Sequence, residues 1–466
     1  MSNDSSTSSL LATRRKRQQS SLIFEGGSQS NRFDRQTRIK NWDQNAIEET
    51  VLYVMGDTDA EHFFGAAAGA LGYRKIFLHS PKKSIVALNF KGGTKALLED
   101  LECDVNQLQG YAHSEVVRYV PRNITACFNS HSYGDYLAMS SGTSVICDFS
   151  ESDFTISSFV NQDHTEFLKH FKSKEDFPRR IDMNPLLNLI AAGIALEETK
   201  QISFFELSGS LVTDYSAKYD SYLLEGRHVR IHNKKILMVG AGALGNFTAM
   251  SLGLVGKDIE VTIVDPDTVD FSNLNRQILF TGQVGKRKAD LISQYLKTLG
   301  IKTTPKFSWV DYPLFKQLDE EVGGYDAIIC CPDNDEVRYV LSKAAEEKEI
   351  PFVTGASSWN GGNAFMQIPR VTERFYETKN FGYGESFEKL RSPEAVESRA
   401  SCVSEPNPSV IMPNMIFGTV IVDMLASCFS PHNYSKIAYS RVLDPKSRYR
   451  MGVKTVDSLE VMEVME

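Results

Sequence analysis

Residues 235–288 read KILMVGAGALGNFTAMSLGLVGKDIEVTIVDPDTVDFSNLNRQILFTGQVGKRK, and the fold follows from this stretch. Ile236 to Val239 is a short apolar run of the kind buried in a parallel sheet. Gly240, Gly242 and Gly245 follow as G-x-G-x-x-G, and a helical apolar period starts at Leu244. Glycines at this spacing let a phosphate approach bare backbone, where the N–H groups and positive dipole end of a helix meet it. A second apolar run, Val261 to Val264, ends in Asp265, placed to hydrogen-bond ribose hydroxyls. The order strand, glycine turn, helix, strand predicts an α/β fold.

The glycines alone would serve NAD, FAD or no nucleotide equally well. The next residues narrow the reading. Asp265 to Gln277 spell D-x-D-x-V-x-x-S-N-L-x-R-Q, and Gly285 to Lys288 spell G-K-R-K. A dehydrogenase has no use for Arg276 and Lys288 here. An enzyme that breaks a bond at phosphorus does, because charge on the phosphates must be neutralised.

These residues resemble the ThiF/MoeB-type adenylyltransferases and the ubiquitin-activating enzymes built on the same domain. The resemblance implies ATP and Mg²⁺ as cofactors. It implies that Asp265 holds the ribose, and that Asn273, Arg276 and Lys288 contact the phosphates. The loop of Gly240, Gly242 and Gly245 would cradle the nucleotide. Further on, Ala327 to Asn334 is a strand ending in a turn, and ligands sit at that carboxyl edge in open α/β sheets. By resemblance Asp333 coordinates Mg²⁺, with Asn334 beside the nucleotide. The other reading of Asp333 is a helix N-cap. Asn31 to Arg38, N-R-F-D-R-Q-T-R, resembles the R-x-x-R-Q element of the family, which makes Arg35 an arginine finger. The alternative is an arginine pair that caps the first helix.

The chain has 466 residues, which sets an expectation of about two to three domains. A net charge of −8 disfavours a nucleic-acid partner. No apolar run of about eighteen residues is evident, so no membrane span is expected. The first residues show no apolar signal core. Seven cysteines occur without a C-x-x-C, which points to a reducing, cytoplasmic setting and to no structural zinc.

Residues 1–30 read as a disordered tail rich in Ser, Asn and Gln, with a basic cluster at Arg14–Arg17. Residues 31–205 and 206–466 read as two tandem Rossmann-like repeats of about 200 residues each, a pseudo-dimer within one chain. Val51 to Gly56, the helical stretch after it and Lys75 to His79 copy the order of 236–265. Asn123 to Asn129 takes the place of Asp326 to Asp333, and the run from Asn184 that of the run from Asn407. The first repeat reads as degenerate and the second as active. By pattern Gly242 corresponds to Thr58, Gly245 to Glu61, Asp265 to His79 and Asp333 to Asn129. A carboxylate at Glu61 would repel a phosphate.

Residues 370–410 read as a crossover and cysteine loop. In the family the loop before the last long helix can carry a cysteine that takes the activated substrate as a thioester, and Cys402 matches that place. A loop thiol suits the task, whereas an inert cysteine is the other reading. Cys330, Cys331 and Cys428 read as core residues, the last within an amphipathic stretch from Met415 to Phe429. Residues 431–466 read as an edge strand pair.

The function expected is ATP-dependent adenylation of the C-terminal carboxylate of a ubiquitin-like protein. A thioester on Cys402 and transfer to a ubiquitin-conjugating-like enzyme would follow. The compact architecture looks most like the activating enzymes of bacterial conjugation operons, some of which serve antiviral defence. The alternative is an adenylyltransferase acting on a peptide or sulfur-carrier protein without a thioester. A homodimer is left open.

Overall fold

The structure is a computed structural model, and it describes residues 31–56, 58–78, 84–107, 123–128, 143–149, 154–159, 185–204, 230–359, 361–378 and 408–429. The first elements are α1 (Asp34–Thr37), α2 (Gln44–Glu49), β1 (Val51–Gly56), α3 (Asp59–Leu71), β2 (Lys75–Leu78), α4 (Gly93–Asp100) and β3 (Asp104–Gln107). Next come β4 (Asn123–Phe128), β5 (Ser144–Phe149), β6 (Phe154–Phe159) and α5 (Pro185–Phe204). The second series is β7 (Ile231–His232), β8 (Lys235–Val239), α6 (Ala243–Val255), β9 (Gly256–Lys257), β10 (Glu260–Val264), α7 (Lys288–Thr298), β11 (Lys302–Lys306) and α8 (Tyr312–Val322). It closes with β12 (Ala327–Cys330), α9 (Asp335–Glu347), β13 (Phe352–Ser357), β14 (Gly362–Gln367) and α10 (Ile411–Cys428).

Two six-stranded sheets arise, ordered β3-β2-β1-β4-β5-β6 and β11-β10-β8-β12-β13-β14. The pairs β5–β6 and β13–β14 are antiparallel and the others within these sheets are parallel. In each sheet the chain leaves the central strand toward opposite sides. The carboxyl ends of β1 and β8 are therefore topological switch points, where ligand crevices open in α/β sheets. All six residues of β1 are buried, as continuous apolar strands under helices on both faces must be.

Val54 pairs with Leu78 and Ala126, while Met238 pairs with Ile263 and Ile329. His79 and Asn129, the residues expected opposite Asp265 and Asp333, lie outside the described residues. The glycine loop keeps its expected match, because Thr58 and Gly242 are both the N-caps of their helices.

A continuous apolar core runs from β1 and α3 through α5 and α10 to β8 and α6. Helix α10 packs against α5, α6, β13 and β14. All of its residues from Ile411 to Cys428 are buried. This corrects two expectations. The helix is not amphipathic, because protein covers every side of it. It is also apolar and long enough to cross a membrane by composition, and it lies wholly inside the protein. Packing is close here: a Cβ on Gly193 of α5 would stand 2.9 Å from Ile416, and one on Gly418 would stand 2.7 Å from the Leu244 carbonyl oxygen.

The start of the expected crossover is anchored. Phe375 is buried, with ring centroids 5.6 Å from Phe352 and 5.0 Å from Phe365. The tail of residues 1–30, the interval 205–229, the remainder of the crossover with Cys402, and residues 431–466 lie outside the described residues.

Candidate functional site

The glycine loop joins β8 to α6. Gly240 has φ +91°, and a Cβ there would stand 2.7 Å from the Pro332 nitrogen. Only glycine fits that conformation beside the turn after β12 without strain. A Cβ on Gly245 would stand 2.3 Å from the Gly240 carbonyl oxygen, so the first turn of α6 presses against the loop. At Gly242 a Cβ would meet nothing within 4 Å.

Asp265 follows β10 and is buried. Its carboxylate accepts from the Ala241 N–H at 2.6 Å and from the Asp267 N–H at 2.8 Å. It thus ties the glycine loop to the next loop. Burial raises its pKa above the ordinary carboxylate value, and the Ala241 N–H and nearby Lys288 oppose that shift. Lys288 opens α7 and is itself buried, with Nζ 2.9 Å from an Asp267 carboxylate oxygen.

The segment 270–277 follows the loop after β10. Asp270 caps a short 3₁₀ turn, Phe271–Asn273, by accepting from the Ser272 N–H at 2.8 Å. Asn273 Oδ1 accepts in return from the Asp270 N–H at 3.1 Å, which completes a capping box. This fixes Asn275 and Arg276, both buried. Arg276 donates from NH1 to the Ser272 carbonyl at 2.9 Å and to Asn275 Oδ1 at 2.7 Å. Burial pushes its pKa down to about 10, and repulsion from Arg35 adds to this.

Arg35 and Asp333 complete the cluster. Burial lowers the Arg35 pKa, and the carboxylates of Asp34, Asp270 and Asp333 act against that shift. Arg35 thus lies within electrostatic reach of Asp270, Asp333 and Arg276, and Arg276 within reach of Asp270. The Arg35 carbonyl accepts from the Ser409 N–H at 3.4 Å, just before α10. Asn334 caps α9, its Oδ1 accepting from the Val337 N–H at 3.0 Å. The cap is therefore Asn334, and Asp333 stands exposed before it.

The R-x-x-R-Q element divides its labour. Arg32 is buried and donates to the carbonyls of Leu101 at 2.8 Å, Ala70 at 3.1 Å and Gly69. It satisfies carbonyls where α3 and α4 end, and so differs from the expected surface arginine capping the first helix. Arg35 goes to the site. Sequence reasoning missed Gln36 and Asn275, although both stand beside an arginine it singled out. Gln36 Oε1 accepts from Asn275 Nδ2 at 3.0 Å, and both residues are fully buried.

In the first half the matching crevice is built differently. Glu61 is buried on the first turn of α3, its Oε1 3.2 Å from His62 Nε2. A Cβ on Gly56 would stand 3.0 Å from the other Glu61 oxygen. The carboxylate thus lies over the strand–helix loop, where the second half presents Gly245. His62 Nδ1 is 3.1 Å from Thr94 Oγ1.

Residues 215–431 match the ThiF family. The chain is similar to the adenylyltransferase and sulfurtransferase UBA4 of Candida albicans, 35% identical over 118 residues, 24% of this chain and 26% of that protein. It is also similar to the SAMP-activating enzyme E1 of Haloferax volcanii, 32% identical over 143 residues, 30% of this chain and 52% of that protein. The chain therefore spans only part of the length of these curated relatives. Among solved structures, a crystal structure of E. coli MccB with succinimide is matched over 48% of this chain and 64% of that one, at 17% identity. Its TM-score of 0.34 is too low to carry an argument.

Proposed function

Since residues 215–431 are a ThiF-family domain, we propose that the chain adenylates the C-terminal carboxylate of a ubiquitin-like or sulfur-carrier protein. The observation that carries this reading is the Gln36–Asn275 hydrogen bond across the halves, which joins the residues next to Arg35 and Arg276, with Asp333 among the charges that act on Arg35. In the reaction a carboxylate oxygen attacks the α-phosphorus of ATP. The bond from that phosphorus to the bridging oxygen breaks, pyrophosphate leaves with the electron pair, and an acyl adenylate remains.

The residues fit these tasks. Packing does not require glycine at Gly242, since a Cβ there meets no neighbour; a phosphate at the N-terminus of α6 would. Each Asp265 oxygen accepts one backbone hydrogen bond and keeps acceptor capacity for a ribose hydroxyl. Arg276, Lys288 and Asn273 would contact the phosphates, and Arg35 would add a fixed, charged fork from the first half. Asp333, with Asn334 behind it, is the carboxylate suited to hold Mg²⁺, which when bound neutralises phosphate charge. The chain's own contribution is position and electrostatics.

On this reading the first half binds no nucleotide and supplies Arg35. Six cysteines are buried among the described residues, which leaves Cys402 as the thiol to test for a thioester. Transfer from it to a ubiquitin-conjugating-like enzyme, a cytoplasmic setting and a role in antiviral defence belong to the same proposal. A second reading is adenylation of a peptide or sulfur-carrier protein without a thioester, and the adenylyltransferase and sulfurtransferase name of one relative favours the sulfur carrier.

The test is ATP–pyrophosphate exchange with a panel of carrier proteins and peptides, each with a free or amidated C-terminus. Exchange is expected with a free carboxylate and not with its amide. Failure of the chain to bind MgATP in calorimetry would refute the proposal.

A further inference from the structure

The proposed chemistry needs two arginines from distant parts of the chain in one place, and their charges push them apart. Arg35 repels Arg276, and both are partly or wholly withdrawn from water. Asp34 and Asp270 offset that repulsion, but charge attraction alone gives no directional link between the two arginines. We infer that Gln36 and Asn275 form a positioning clip that sets the two arginines in register across the halves. The inference rests on the adenylation reading above.

The clip is a directed chain of hydrogen bonds. Gln36 Nε2 donates to the Leu71 carbonyl at 2.8 Å, at the end of α3, and to Gln44 Oε1 at 2.7 Å. Gln36 Oε1 accepts from Asn275 Nδ2 at 3.0 Å. Asn275 Oδ1 accepts from Arg276 NH1 at 2.7 Å. Each amide accepts at one end and donates at the other, so neither can be replaced by a carboxylate without losing a donor. Both side chains are fully buried, where a half-satisfied network would be costly. Each stands next in sequence to an arginine of the site, so the backbone carries the constraint one residue on. An ion pair in this place would hold the halves as well, but it would quench the positive field that the phosphates are to meet. A pair of neutral amides fixes the geometry and leaves that field intact.

Two readouts test the clip. In the first, the chain without nucleotide is labelled with phenylglyoxal and read peptide by peptide by mass spectrometry. Gln36→Ala and Asn275→Ala should each label Arg276 faster than wild type does. Arg32, buried on the carbonyls of Leu101 and Ala70, is the internal control and should not change. Equal acceleration at both arginines would mean general loosening and overturn the inference. In the second, MgATP binding is measured by calorimetry. Asn275→Ala should weaken it about tenfold, the scale of one hydrogen bond. In an Arg276→Ala background the same change should cost less than about twofold, because the effect passes through Arg276. An equal loss in both backgrounds overturns the clip. If Arg276 labelling responds while no form binds MgATP, the clip stands and the adenylation reading falls.

Discussion

Arg35→Ala separates a transition-state role from a packing role. Arg35 is half-buried and makes its electrostatic contacts with Asp34, Arg38, Asp270, Asp333 and Arg276. Removing it loses attraction to the three carboxylates and relieves repulsion on Arg38 and Arg276. At partial exposure each such contact is worth at most about 1 kcal/mol, and the two signs offset. The thermal midpoint should therefore move little. Turnover should not be spared. A preorganised donor aimed at developing charge is worth roughly ten- to a thousandfold in kcat, or about 1.4 to 4 kcal/mol. MgATP affinity should fall less than kcat, since the fork acts mainly as charge develops. Arg35→Lys should recover only part of the loss, because a point charge lacks the fork. The assays are single-turnover adenylate formation, MgATP calorimetry and a melting curve on the same preparations. Unchanged turnover in a folded variant would refute the reasoning. So would a loss confined to MgATP affinity, which would make Arg35 an ordinary binding residue.

Asp333→Ala should abolish adenylate formation with the circular dichroism spectrum unchanged, because the side chain is exposed and caps nothing; near-normal turnover would sink its assignment. Titration should give about one MgATP per chain, since one half places Glu61 where the other has glycine; a second site would contradict the proposed division. Asp423, fully buried in α10 with neither carboxylate oxygen hydrogen-bonded, has its pKa raised from 3.8 to about 7 by burial. The folded state then holds a proton that the unfolded state releases, so stability falls as pH rises from about 4 to 7, by about 2 kcal/mol between pH 5.5 and 7.5. Asp423→Asn should remove that slope and the infrared band of a protonated acid at pH 6; identical melting profiles would show that Asp423 is ionised throughout. Cys402→Ala should still exchange pyrophosphate but form no thiol-sensitive adduct with the carrier on a non-reducing gel; an adduct that persists would move the acceptor elsewhere.

The second half was legible because its signals are contiguous. A strand, its glycine turn and the helix after it run without a break from Lys235 to Val255, and the apolar run of β8 reads directly as a buried strand. In the first half, pattern matching lines up apolar runs and punctuation but does not set register. Register is fixed by backbone pairing, such as Val54 with Leu78, which leaves no mark in the sequence. Helix α10 misled for another reason. Thr419, Asp423 and Ser427 recur at i, i+4 and i+8 and look like a polar face, but Thr419 accepts from Ser251 at 3.1 Å, Ser427 donates to the Asp423 carbonyl at 3.0 Å, and burial drives Asp423 toward its neutral form. A polar residue in a helix therefore need not mark a solvent face.

The two arginines of R-x-x-R-Q show where sequence must stop. Arg32 and Arg35 share every intrinsic property, so no propensity or charge argument can assign one to carbonyl capping and the other to the phosphates. What divides them is the helix between them. Asp34–Thr37 is a single turn, and three residues carry the chain from the ends of α3 and α4 to the edge of the second sheet. Gln36, on the same turn, is held by Leu71 on one side and by Asn275 on the other. That one turn is thus fixed to both halves, with Arg35 bracketed between Arg32 and Gln36. A finger anchored on either side loses little freedom when it engages a phosphate, which is what an electrostatic contribution to the transition state requires.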